Sequence, residues 1–260
     1  MSRWFRWSLA GLAIGGSVVL FVLFLRSRPS AHTIPFEHWY GNWGAVLLAA
    51  GVFTVFVLGF VRPRLRSEWR NAGLATAFFI SLFTEMFGIP LTVYLVAPLL
   101  RLPPTLFGHA ESHLWAFAMD RLGLLPLQYG VHVVMVLSLG LIGTGVSLVA
   151  LGWATVYRGR DRLVTEGIYR YLRHPQYLGL ILVVVAFNIQ WPTLPTLVMA
   201  PVLIVMYTRL AGREDRELAA RFGEAFQEYA ARTPAFIPWR STGPAEGPDR
   251  ARVGLWPRRP

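Results

Sequence analysis

Leu163-Val164-Thr165-Glu166-Gly167-Ile168-Tyr169-Arg170-Tyr171-Leu172-Arg173-His174-Pro175-Gln176-Tyr177-Leu178-Gly179 is a run of charged, aromatic and hydrogen-bonding side chains set between two apolar stretches. Outward from it, apolar segments recur near 8–25, 43–61, 72–100, 129–157, 177–191 and 193–210. Most approach the roughly 20 residues a helix needs to cross a bilayer core of about 30 Å. The expected fold is all-α, a polytopic transmembrane helical bundle of about six spans. Its last two spans are short, are interrupted by Trp191-Pro192 and Pro195, and form a helical hairpin. From Arg213 to Arg232, Leu218, Phe222, Ala225, Phe226 and Tyr229 recur at helical spacing, which predicts an amphipathic cytoplasmic helix.

Composition agrees with a membrane protein. With 54% hydrophobic and 15% charged residues in 260, the chain holds more apolar surface than one soluble core needs. The formal net charge of +11 comes from arginine alone, and the arginines cluster beside apolar segments. That placement points to membrane topology and anionic lipid headgroups, and away from nucleic acid. No cysteine is present, which excludes disulfides, thiolate metal sites and a cysteine nucleophile.

Arg62, Arg64, Arg66 and Arg70 follow the second segment, and Arg158, Arg160, Arg162, Arg170 and Arg173 follow the fourth. The other loops are poorer in arginine or balanced by Glu37, Glu111 and Asp120, so the expected membrane is the cytoplasmic one with both termini inside. The first segment follows Arg3 and Arg6 and reads as a permanent anchor, since no small-residue cleavage pattern closes it. The chain then divides into an N-terminal transmembrane region (1–128), a region carrying the polar blocks (129–239) and a Pro-, Gly- and Arg-rich tail (240–260) expected to be disordered.

In Arg173-His174-Pro175, the proline disfavours helix at His174 and suits the first turn of a following helix. A helix N-terminus beside an arginine accommodates a carboxylate or phosphate. An interfacial arginine and histidine flanking a span is the plainer alternative. Tyr169, Tyr171 and Tyr177 read either as an interfacial belt or as walls of a pocket for a cationic or planar ligand. A second polar block, Arg213-Glu214-Asp215-Arg216-Glu217-Leu218, follows the hairpin. Its carboxylates fit either a helix start or a hold on a ligand's positive centre.

Glu85, within Phe83-Thr84-Glu85-Met86-Phe87-Gly88-Ile89-Pro90, lies inside an apolar stretch, where an acid costs about 2.5 to 3.5 kcal/mol on insertion scales. An acceptor pocket and a buried polar pair are both open readings. Gly140, Gly143 and Gly145 mimic a nucleotide-binding loop, but no strand precedes them and close helix packing is the expectation. His109 and His113, with His32 or His38, lack a metal-binding signature, and no metal is expected.

The stretch from Leu163 to Gly179, followed by Glu214, Phe222-Gly223, Tyr229 and Pro234-Ala235-Phe236-Ile237-Pro238, resembles the C-terminal half of the isoprenylcysteine carboxyl methyltransferase and phospholipid methyltransferase superfamily. The resemblance covers about residues 155–239. It implies a helical membrane enzyme that binds S-adenosyl-L-methionine on the cytoplasmic side and takes a membrane lipid, or a lipidated or hydrophobic acceptor, from the bilayer. It further implies cofactor contacts from Asp161, Arg162, Leu163, Val164, Tyr169, His174, Pro175, Gln176, Tyr177 and Glu214. Catalytic roles fall to His174, Glu214 and Arg173, and substrate contacts to Arg209 or Arg213, with Glu85 added from its intramembrane position. The family's paired glutamates are Glu214-Asp215 here.

Aromatics, a carboxylate and an arginine-flanked helix end also match the cofactor's chemistry on physical grounds. Rival readings keep the enzyme class with a phospholipid amine or small thiol as acceptor, or change it to a nicotinamide-dependent membrane reductase or a transporter. Inverted repeats, expected of many transporters, are not found.

Overall fold

A computed structural model describes residues 40–60, 66–99, 114–158 and 162–236, with a few isolated helical positions between 11 and 26. Among the described residues every regular element is helical. The elements are α1 (Trp43–Phe60), α2 (Arg66–Phe83) continuing into a π-helical turn (Thr84–Gly88), and α3 (Leu91–Leu99). They continue with α4 (Leu114–Arg121), α5 (Leu127–Arg158), a 3-10 turn (Gly167–Arg170), α6 (Pro175–Gln190), α7 (Leu194–Phe222) and α8 (Glu224–Arg232).

Helices α5 and α6 form the closest pair. At their crossing, an added Cβ on Gly179 would sit 2.4 Å from the Gly145 carbonyl oxygen, and one on Gly145 would sit 2.5 Å from that of Gly179. Only glycine permits this approach, so Gly145 is a packing residue and not part of a nucleotide loop. On its other side α6 meets an aromatic core shared with α1 and α2. Phe53 stacks on Phe79 with centroids 4.7 Å apart, and Phe83 meets Phe187 edge-on at 5.7 Å.

The α6–α7 hairpin is built by its connecting residues. Trp191 ends α6, and Thr193 opens α7 with a capping box in which the Thr193 and Thr196 side chains each accept the other's backbone N–H. Pro195 falls in the first turn, where its missing N–H leaves no bond unmade. It therefore starts the helix where the sequence had indicated an interruption.

Two boundaries differ from expectation. The stretch 72–100 is not one span: α2 passes into the π turn, and α3 begins after Ile89-Pro90, where proline cannot supply the next helical N–H. The last apolar segment does not stop near 210 before a separate amphipathic helix. Instead α7 runs unbroken through Arg213 and Glu214 to Phe222, because the charged residues there are tolerated in helix and Gly212 alone does not end it. The break comes at Gly223, whose φ of 55° is a backbone state that favours glycine.

Two helices, Leu127–Val156 and Leu194–Phe222, are long and apolar enough to cross a membrane. Trp43–Val57, Ala72–Gly88 and Pro175–Gln190 are apolar but shorter. Most of the segment near 8–25, and the tail from 240, lie outside the described residues.

Candidate functional site

His174 takes a non-helical backbone at the cap of α6, as the following proline dictates, and its side chain is 3% exposed. Both ring nitrogens face carboxylates of α7. Nε2 lies 2.9 Å from Asp215 Oδ1, and Nδ1 lies 3.5 Å from Glu214 Oε2. Arg173 approaches Asp215 Oδ2 at 3.3 Å, and its guanidinium lies 6.0 Å from the Phe226 ring of α8. One guanidinium against two carboxylates leaves the corner with an excess of negative charge before the imidazole is counted.

A strap closes the corner from the C-terminal end of α8. The Arg173 N–H donates to the Pro234 carbonyl at 3.0 Å, the His174 N–H donates to Ala235 at 3.1 Å, and the Phe236 ring sits 5.8 Å from the imidazole. The backbone amides of Arg173 and His174 are taken up by the strap, and the Arg173 guanidinium by Asp215, because backbone donors at a buried corner must be satisfied within the chain.

Tyr229 fastens α8 to the loop before α6, its hydroxyl donating to the Tyr169 carbonyl at 2.7 Å. Burial pushes the Tyr229 phenol up to about 12; Arg173 opposes the rise, while Asp215 and Glu214 add to it. Burial likewise raises Tyr169 well above the ordinary tyrosine value, and the negative charge of Glu214 adds to this. The Tyr169 hydroxyl accepts from Gln176 Nε2 at 3.2 Å. Gly152 of α5 gives this group room, since a Cβ there would sit 2.9 Å from Gln176 Cγ and 3.1 Å from Pro175 Cγ.

Of the residues indicated by the sequence, His174, Arg173, Glu214, Tyr169, Pro175, Gln176 and Tyr177 come together, with the Tyr177 ring 5.7 Å from the imidazole. Leu163 and Val164 are half-buried in the loop leading to the 3-10 turn. Arg162 is exposed and pairs with Glu166, and Asp161 lies outside the described residues. His32, His38, His109 and His113 also lie outside them.

Arg209 is exposed, about 200° around α7 from the buried Tyr207, so it faces away from the corner. Arg213 is half-buried and falls on Arg209's side of the helix, one turn along.

Glu85 is 2% exposed, and its Oε2 accepts the Thr92 N–H at 2.9 Å. The Thr92 hydroxyl in turn accepts the Leu194 N–H at 2.9 Å, so Glu85 belongs to the hairpin end of α7. Glu214 is twenty residues further along that helix, about 30 Å away. The two carboxylates do not share a pocket.

Asp215 is the member of the corner that was not assigned to the cofactor or to catalysis; its signal was its place in the second polar block and in the glutamate pair of the resembling family. The strap carbonyls leave no side-chain signal at all.

Residues 129–225 match the phospholipid methyltransferase family. The chain is 38% identical over 108 residues to the cobalt-zinc-cadmium resistance protein CzcN of Cupriavidus metallidurans, covering 40% of this chain and 50% of that one. It is 31% identical over 126 residues to the nickel-cobalt-cadmium resistance protein NccN of Alcaligenes xylosoxydans xylosoxydans, covering 47% and 59%. It is 31% identical over 83 residues to the protein-S-isoprenylcysteine O-methyltransferase of Schizosaccharomyces pombe, covering 31% and 35%. The chain thus spans about half the length of the first two relatives and about a third of the last. No solved structure gives a significant match. Over residues 129–225, the chain is similar to the superfamily of phospholipid methyltransferases and isoprenylcysteine carboxyl methyltransferases.

Proposed function

We propose that the protein is a membrane methyltransferase that uses S-adenosyl-L-methionine and methylates a lipid-like, isoprenylcysteine-type carboxylate. One observation carries the reading: Glu214 and Asp215 of α7 meet His174 of α6 within 3.5 Å, and Glu214 keeps about half of its side chain exposed there. Such a corner suits a ligand bearing an ammonium and a sulfonium.

The donor set fits that cofactor. Glu214, 47% exposed at its side chain, is the carboxylate free to take the ligand's ammonium, while the more buried Asp215 is held by Arg173 and His174. Tyr177 and Phe236 offer ring faces beside the same corner, where a cation is attracted within about 6 Å of a ring. When bound, the cofactor supplies an electrophilic methyl group.

His174 is buried and both its nitrogens are engaged, so it works as a positioning residue that fixes the two carboxylates, and Arg173 supports it through Asp215. Tyr169 and Tyr229 remain neutral donors near pH 7. Alignment of the two reactants supplies most of the rate. A carboxylate acceptor is already ionised at pH 7, so it would take up the methyl group without any residue of the chain removing a proton from it. A phospholipid amine or small thiol would instead need a base, and Glu214 is the exposed candidate.

In this reading 129–239 form the methyltransferase region, 1–128 anchor it, the acceptor arrives from the bilayer, and both termini face the cytoplasm of the inner membrane. The deciding experiment is titration of the purified protein with S-adenosylhomocysteine. Saturable binding that is lost in His174→Ala and Glu214→Ala supports the reading and excludes the nicotinamide reductase; absence of binding sinks it.

A further inference from the structure

Val198, Val202, Val205, Arg209, Arg213 and Arg216 follow one another along α7 at helical spacing and form a single stripe on its outward side. The valines are 70%, 48% and 46% exposed, so the stripe begins as an uncovered apolar rail. At Arg209 it turns basic without a break in the helix. Arg209 and Arg216 are exposed, and neither forms an ion pair among the described residues. Of the acids of α7, Glu214 and Asp215 turn to the corner, and Glu217 lies about 80° round from Arg209.

Along the axis from Leu194, Arg209 stands about 22 Å, Arg213 about 28 Å and Arg216 about 33 Å up the helix. A bilayer core of about 30 Å that starts at the Thr193 cap therefore ends between them. Arg209 is carried to that level by its long apolar stem, since a charge left in the core is costly, and Arg216 reaches it from above. Guanidinium groups bind phosphate oxygens through paired N–H donors, so the level where the two meet suits a phosphodiester. The valine rail beneath suits the acyl chains of the same molecule.

We infer that this stripe is a docking site for an anionic phospholipid. The lipid phosphate sits between Arg209 and Arg216, and its acyl chains run along Val205, Val202 and Val198. Glu214 lies about 140° around the helix from Arg209 and about 160° from Arg216, so the lipid docks behind the polar corner and is not the methyl acceptor. The inference stands independently of the methyltransferase reading, and it gives Arg209 a partner on the side of α7 that it faces.

The test titrates full-length protein in dodecyl maltoside with dioleoyl phosphatidylglycerol, dioleoyl phosphatidylcholine or glycerol 3-phosphate. Bound lipid is counted by native mass spectrometry, and Tm is read in parallel. Phosphatidylglycerol should bind about tenfold more tightly than phosphatidylcholine and raise Tm, while glycerol 3-phosphate, the anion without the chains, should do neither. Arg209→Gln combined with Arg216→Gln should weaken phosphatidylglycerol binding about 10- to 30-fold, since each arginine near an anionic headgroup contributes about a factor of five. The lipid-free Tm of this variant should hold, because both side chains are exposed and unpaired. Arg221→Gln removes the same charge about 120° round from Arg209 and should bind like wild type. Equal binding of the two lipids, binding of glycerol 3-phosphate as tight as that of phosphatidylglycerol, an unchanged affinity in the double variant, or an equal loss in Arg221→Gln overturns the assignment. Should the double variant fail to fold, Arg216→Gln alone decides, with an expected loss of about fivefold.

Discussion

His174 and Asp215, forty-one residues apart in sequence, meet at 2.9 Å between the imidazole Nε2 and a carboxylate oxygen that α7 delivers from the far side of the hairpin. Because Asp215 also reaches Arg173 at 3.3 Å, it neutralises a guanidinium whose side chain is 17% exposed.

Asp215→Ala takes from the half-buried Arg173 its carboxylate and from the buried His174 the closer of its two. The expected loss is about 1 to 3 kcal/mol of stability, with a fall in S-adenosylhomocysteine affinity. Thermal unfolding in detergent beside a binding titration measures both, and an unchanged Tm would show that the contact is idle.

Glu214→Gln should separate binding from stability. Half of this side chain is exposed, so Tm should hold within the small range typical of surface changes. Affinity for S-adenosylhomocysteine should drop about 10- to 100-fold, or about 1.4 to 2.7 kcal/mol. Full affinity in the variant would remove Glu214 from the site.

Gly179→Ala forces a methyl group to 2.4 Å from the Gly145 carbonyl oxygen and 2.8 Å from Val149 Cγ2. Backbone cannot yield as a flexible side chain does, so overpacking of at least 1 to 3 kcal/mol is expected, of the order seen in crowded cores. Gly212→Ala, with nothing within 4 Å of its Cβ position, is the matched control and should be neutral or slightly stabilising.

Tyr229 links pH to stability. Its phenol is held at about 12 in the folded chain against 10.0 for the ordinary side chain, so the folded state favours the protonated form. That contribution is complete below pH 10 and is lost as pH rises toward 12. Denaturation followed from pH 8 to 12 should show the decline, and Tyr229→Phe should flatten part of it. The variant should also lose about 0.5 to 1.5 kcal/mol at neutral pH with the Tyr169 carbonyl bond.

The convergence of the two polar blocks was legible because polar side chains beside apolar spans have few places to go. A hairpin opened by Pro192-Thr193 returns the chain to the side it left. The continuity of α7 was harder to see: the change from apolar to charged residues at Arg213 marks the exit from an apolar environment, and a helix need not end where its surroundings change. Helical phase at 100° per residue already set Arg209 opposite Tyr207, but the motif's register drew it toward the site. Glu85 poses the opposite difficulty, since an acid within an apolar stretch signals function or pairing with nearly equal force. The bonds through Thr92 to Leu194 run from backbone N–H groups to side-chain oxygens, donors that composition does not announce. The strap over His174 is hidden for the same reason.

The unbroken α7 makes a lever of the hairpin. Its fulcrum is the Thr193 cap, and about 30 Å along it Glu214 rides on the moving arm. A tilt of about 5° at the fulcrum swings the carboxylate by about 2.6 Å, comparable to the width of a hydrogen bond. In a bilayer, a change of thickness that altered the lean of so long a helix would be felt at the polar corner.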